Sequence, residues 1–114
     1  MKIEKFEDII SWQKSKELVI RTYKNFDCVR DYSFRDQIQR AAVSIMNNIA
    51  EGFERRGNKE FRYFLFIAKG SCSEFRSMLY IACELKYISQ NDFELMYNLS
   101  VEISKLISGL IKTL

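Results

Sequence analysis

The segment Gln37 to Gly57, QIQRAAVSIMNNIAEGFERRG, carries two stripes at helical spacing, and that pairing constrains the fold more than any other feature. Ile38, Ala41, Ala42, Ile45, Ile49 and Phe53 recur at three- and four-residue steps and mark one buried helix face. Arg40, Ser44, Asn48, Glu51 and Arg55 recur at the same steps on a different face. This second stripe is polar but mostly uncharged in its middle, unlike the lysine- and glutamate-rich surface of an ordinary exposed helix. A helix with both stripes belongs in a bundle, with its second stripe facing something other than water.

The remaining chain agrees with an all-α reading. There is no proline and there are only 4 glycines, so residues that punctuate β-turns and break helices are scarce. The first helix is predicted from about Asp8 to Phe26, with Ile9, Trp12, Val19, Tyr23 and Phe26 inside. A short linker, Asp27 to Ser33, makes helices one and two antiparallel neighbours. Helix two runs from about Phe34 to Arg56, Gly57 suits a left-handed C-cap, and Asn58 can cap the next helix.

Helix three, about Lys59 to Leu85, has a regular core stripe of Phe61, Leu65, Ala68, Cys72, Phe75, Leu79 and Ala82. Tyr63, Phe66, Ile67, Tyr80 and Ile81 lie off that stripe, on faces a monomeric bundle would leave wet. A helix apolar on most sides has a second surface to bury, so these five are candidate oligomer-interface residues. Gly70 sits mid-helix at a cost of about 1 kcal/mol relative to alanine, explained either by close approach of another backbone or by drift. After a turn at Lys86 to Ser89, Ser89 and Asp92 form a capping arrangement. Helix four then presents Phe93, Met96, Ser100, Ile103, Ile107, Leu110 and Leu114 on one face. The expected architecture is an up-down-up-down antiparallel four-helix bundle, with residues 1–114 as one domain around one core.

Much chemistry is excluded. With 0 histidines, the chain cannot build a His-based triad, an imidazole base, Glu-x-x-His di-iron ligands or an Arg-x4-His ribonuclease site. The glycines at 52, 57, 70 and 109 are too scattered for a phosphate loop, and no carboxylate cluster suits a hard cation. We therefore expect no catalytic residues, no metal and no cofactor. The 3 cysteines lack C-x-x-C spacing and read as buried free thiols, Cys72 and Cys83 on the apolar face of helix three. No apolar run reaches the roughly 18 residues of a membrane span, and the N-terminus lacks a signal-peptide core. The expected location is cytoplasmic.

A net charge of +3 is mild, but its distribution is uneven. Arg55, Arg56, Lys59, Arg62, Lys69 and Arg76 crowd the second interhelix turn and continue down helix three. Arg62, Lys69 and Arg76 are spaced by sevens, with Phe66 and Tyr80 near their line. A cationic track interleaved with aromatics favours nucleic acid through phosphate pairing and base stacking. Glu54, Glu60 and Glu74 dilute the patch, so a solvated face is the competing reading. Repetition around an oligomer would let weak sites add.

The wording RAAVSI-x-x-NIAEGF-x-R, the earlier FEDIISWQKSKELV and the later NKEFRYFLFIAKGSCSEFRSML resemble the 23S rRNA intervening-sequence proteins over nearly the whole chain. Through them, the chain is similar to the accessory variability protein of diversity-generating retroelements. The motif positions are Trp12, Gln13, Arg40, Ser44, Asn48, Glu51, Gly52 and Arg56. The resemblance implies a four-helix bundle, a homopentamer, association with RNA or DNA, and a reverse transcriptase as a protein partner. The family often has proline at the position of Met46 and in the first linker. Its absence here implies a straighter second helix.

Overall fold

A computed structural model describes residues 2–114. A short 3-10 turn, Phe6–Asp8, leads into α1 (Ile10–Phe26), α2 (Tyr32–Glu54), α3 (Asn58–Glu84) and α4 (Gln90–Lys112). Among the described residues all regular structure is helical, as expected for an all-α bundle. Each helix packs on its neighbours in sequence, and α4 closes the square against α1. The 27 residues of α3 rise about 40 Å, and the molecule measures 42 × 22 × 19 Å, so α3 spans its full length. α2 runs unbroken through Met46. No helix is long and apolar enough to cross a membrane among the described residues.

One core joins all four helices. Leu18, Ile38, Ile45, Ile49, Leu65, Phe75, Leu79, Ile103 and Ile107 are completely buried. Burying such a side chain contributes roughly 1.5–3 kcal/mol. The predicted stripes of α2, α3 and α4 supply most of this core. Leu99 joins the α4 face, while Phe93, Leu110 and Leu114 are only half-buried at its edges.

The inner face of α1 differs from the expected one. Its buried residues are Ser11, Ser15, Leu18, Thr22 and Phe26. Trp12 and Val19 are half-buried, Tyr23 is exposed, and buried Ile9 precedes the helix as its N-cap. For Ser15 and Thr22 the reason is local hydrogen bonding, whereas the buried Ser11 Oγ has no partner among the described residues. Ser15 Oγ donates to the Ser11 carbonyl at 2.6 Å, and Thr22 Oγ1 to the Leu18 carbonyl at 2.7 Å. Once a hydroxyl is satisfied within its own helix it is inexpensive to bury, and its small size lets α1 sit close to its neighbours.

The turns also depart in detail. Asp31 caps α2 by accepting from Phe34 N at 3.2 Å. The left-handed residue after α2 is Arg56 (φ 65°), whereas Gly57 is extended and Asn58 already belongs to α3. Only Arg55 to Gly57 separate the helices, so the reversal is made as soon as α2 ends. Lys86 is also left-handed (φ 60°), and Tyr87 N donates to the Ala82 carbonyl at 2.8 Å, which closes α3 in a Schellman motif. Tyr87 Oη donates to Asp31 Oδ2 at 2.8 Å, tying together the two turns at one end of the bundle. Ser89 caps α4, accepting from Asp92 N at 3.0 Å as expected.

The close backbone approach falls at Gly52, not Gly70. A Cβ on Gly52 would stand 2.7 Å from Phe64 Cβ, whereas one on Gly70 would meet nothing within 4 Å. Of the thiols, Cys72 is buried, Cys83 is half-buried and Cys28 is exposed, so burial holds for only one of the three. Cys28 lies in the α1–α2 turn, outside any packed face.

Candidate nucleic-acid interface

The polar stripe of α2 faces α3. Ser44 Oγ and Ser71 Oγ share a hydrogen bond of 2.9 Å across the helix pair. Asn48 Nδ2 donates to both the carbonyl and the hydroxyl of Ser44, at 2.8 and 3.0 Å. The stripe is uncharged in its middle because α3 packs there. At its ends it opens to solvent. Arg40 lines an open groove of about 580 Å³ with Ser33, Asp36, Gln37, Ala41, Ser44 and Glu74. Glu51 pairs with Arg55 at 2.7 Å, and this hydrogen bond raises the Arg55 pKa above its ordinary value. The Arg55 guanidinium lies 5.0 Å from the Phe64 ring centre.

Trp12 and Gln13 organise the N-terminal turn. Trp12 meets the Phe6 ring edge-on at 5.1 Å, and Gln13 Nε2 donates to the Glu7 carbonyl at 2.9 Å.

The six basic residues divide into two groups. Arg55, Arg56 and Lys59 are exposed at the α2–α3 turn, where Arg56 covers the Phe53 ring at 5.5 Å. Arg62, Lys69 and Arg76 are half-buried along the edge of α3 that meets α4. Arg62 donates to the main-chain oxygen of Leu114. Among the described residues, neither Lys69 nor Arg76 has a carboxylate partner within 4.0 Å. Arg76 makes only a long contact with Ser73 Oγ, 3.4 Å, and its second amino nitrogen is enclosed without an acceptor.

The five oligomer candidates are exposed in the single chain, and they also divide. Tyr63, Ile67 and Ile81 project outward on either side of Gly70, away from both neighbouring helices, α2 and α4, by their helical register. Phe66 lies between that face and the α4 edge. Tyr80 belongs to the α4 edge, with its ring 5.4 Å from Phe93 and 5.7 Å from Tyr97. Sequence reasoning missed Phe93 as part of this cluster and Tyr97 altogether. Their signal was an aromatic pair four residues apart on the flank of the α4 core stripe.

No group of His, Cys, Asp and Glu that could hold a metal ion occurs among the described residues. The Cys72 thiol is pushed up to about 12 by burial, with the Arg76 and Lys69 charges opposing, and is no nucleophile near neutral pH.

Fold and surface together define an antiparallel four-helix bundle with one basic, aromatic edge. The chain belongs to the 23S rRNA-intervening sequence protein family, whose model matches residues 7–109. It is similar to a crystal structure of a protein of unknown function from the S23 ribosomal protein family of Bacteroides thetaiotaomicron VPI-5482. The two are 29% identical with a TM-score of 0.84, covering 90% of this chain and 99% of that one. No curated protein matches the chain.

Proposed function

We propose that the protein is a non-enzymatic, homo-oligomeric accessory module of the cytoplasm that associates with RNA or DNA, as a pentamer by analogy with the retroelement proteins it resembles. The observation that carries this reading is the α3 edge, where Lys69 and Arg76 have no carboxylate partner among the described residues and stand beside exposed aromatic rings. Arg55, Arg56, Lys59 and Arg62 extend the cationic surface toward one end. Binding of this kind rests on counterion release and tolerates sequence changes. The outward apolar face of Tyr63, Ile67 and Ile81 supports self-association. Light scattering tests the assembly, and a 13.6 kDa monomer at micromolar concentration would refute it. Mobility shifts test the ligand: affinity should fall log-linearly with salt, and scrambled probes of equal length should bind alike. No shift at low salt with the oligomer intact would end the reading.

A second reading is an adaptor that docks a polypeptide such as a reverse transcriptase without touching nucleic acid. The groove around Arg40 favours it, because Asp36 and Glu74 make that surface unsuited to phosphate. Pull-downs with and without nuclease separate the two, since nuclease abolishes only RNA- or DNA-bridged capture.

A further inference from the structure

Between Arg62 and Tyr80 the α3–α4 seam is free of acids. On α3 its edge is Arg62, Lys69, Ser73, Arg76 and Tyr80, while Glu74 turns to the other side and lines the Arg40 groove. On α4, Tyr97 begins a half-buried stripe that continues through Val101, Ser104 and Ser108 at helical steps. The Tyr80–Tyr97 contact at one end and the Arg62–Leu114 hydrogen bond at the other show that the two stripes run side by side. Farther along the two helices, Glu84 and Glu94 come beyond Tyr80 toward the turn, and Glu94 accepts a hydrogen bond from Gln90 Nε2 at 3.0 Å. The seam is therefore a strip of cations and small hydroxyls, closed at one end by aromatic rings.

Those rings have the form of a platform. Phe93 and Tyr97 stack on each other, centres 5.6 Å apart and planes inclined by 28°. They back Tyr80 from the α4 side, yet Tyr80 remains 53% exposed. A core-packing role would have covered it. Contact with the Tyr97 hydroxyl, then desolvation, raises the Tyr80 pKa despite the opposing charge of Arg76, so the phenol is neutral near pH 7 and repels no phosphate.

We propose that this seam binds single-stranded nucleic acid, with an unpaired base stacked on Tyr80 and the adjoining phosphates on Arg76 and Lys69. The assignment rests on the nucleic-acid reading above and deepens it. It also moves Tyr80 from the interface between copies to the ligand site. Every base offers a π-face, so such stacking is sequence-tolerant. In a duplex those faces are already stacked on one another, and the platform has nothing to receive.

Fluorescence anisotropy with labelled oligothymidylate and oligouridylate of about 12 nucleotides, against a duplex of equal length, tests the proposal. Wild-type protein should prefer both single strands to the duplex, the two arms also reporting any preference between DNA and RNA. Tyr80→Leu keeps apolar bulk but removes the ring, and should weaken single-strand binding roughly five-fold or more with the salt slope unchanged. Tyr80→Phe should bind as wild type. Lys69→Gln with Arg76→Gln should instead flatten the salt slope. If wild type binds but Tyr80→Leu binds equally well, or if the duplex is preferred, the stacking site is refuted while the broader reading stands. If wild type binds no probe, both fall. Should Tyr80→Leu lose helical content, the surface variant Ser73→Glu places a carboxylate in the seam. Unchanged binding by that folded variant overturns the proposal.

Discussion

Toward α2, helix α3 is locked in place: Ser71 shares a hydrogen bond with Ser44, and Phe64 packs where Gly52 has no side chain. Toward α4, the same helix presents Lys69 and Arg76, with no carboxylate partner among the described residues, and a tyrosine that leaves half its surface in water. The first edge is complementary in shape and satisfied in its hydrogen bonds, so it defines how the helices meet. The second holds the helices together beneath, through Leu79, Met96 and Ile103, but leaves its rim unfinished. A rim with unpaired charge and exposed rings contributes little to folding, and for that reason it is free to serve a ligand.

The comparison would break first at Gly52. Gly52→Ala gains about 1 kcal/mol of helix propensity, but its Cβ would collide with Phe64 Cβ, which cannot swing aside because it is fixed to the backbone. A net loss of about 2 kcal/mol is expected, lowering the melting temperature by roughly 10 °C in a calorimetric scan. Gly70→Ala is the control of opposite sign. It should stabilise the isolated fold by up to about 1 kcal/mol, unless another copy approaches Gly70, in which case the oligomer weakens instead.

Beneath both edges lies Cys72, and pH sharpens its contribution. An unfolded thiol ionises near its ordinary value of 9.0, while the folded one keeps its proton to about 12. Between those values the native state holds the extra proton, so stability falls as pH rises, by about 1.4 kcal/mol per pH unit from this group. Stability is unaffected by it below pH 9. Denaturant titrations at a series of pH values should show this slope, and Cys72→Ala should remove that part of it.

The smallest effect is expected on the open edge. Lys69→Gln with Arg76→Gln should change unfolding free energy by less than about 0.5 kcal/mol, since neither side chain forms an ion pair among the described residues. Chemical denaturation checks this. A loss of several kcal/mol would show that the α4 edge is as structural as the α2 edge, and the contrast between them would vanish.

Most of the architecture was legible because apolar periodicity is a direct record of burial. The stripes Ile38–Ile49, Phe61–Ala82 and Met96–Ile107 follow a 3.6-residue period, and each became a buried face. Ser89 before Asp92 announced a helix start, which the hydrogen bond bears out. Helix α1 was misjudged because its inner face contains two serines and a threonine. Hydropathy treats these as surface residues, although the Ser15 and Thr22 hydroxyls, each bonded to the carbonyl four residues back, have no further need of water.

The candidate site was legible only in part. Arg62, Lys69, Arg76 and Tyr80 could be aligned from their spacing along one helix. Phe93 and Tyr97, distant in the chain, could not be joined to them by any local pattern.

Local chemistry was enough to establish four helices, their approximate ends, the all-α class and three of the four core faces, since backbone propensity and side-chain period act within a few residues. Tertiary packing decided which edges of α3 are closed and which are open. Gly52 against Phe64, Ser44 against Ser71 and Tyr80 against Tyr97 are pairings between helices. Their distances depend on how whole helices rotate and approach, which no periodicity within a single helix contains.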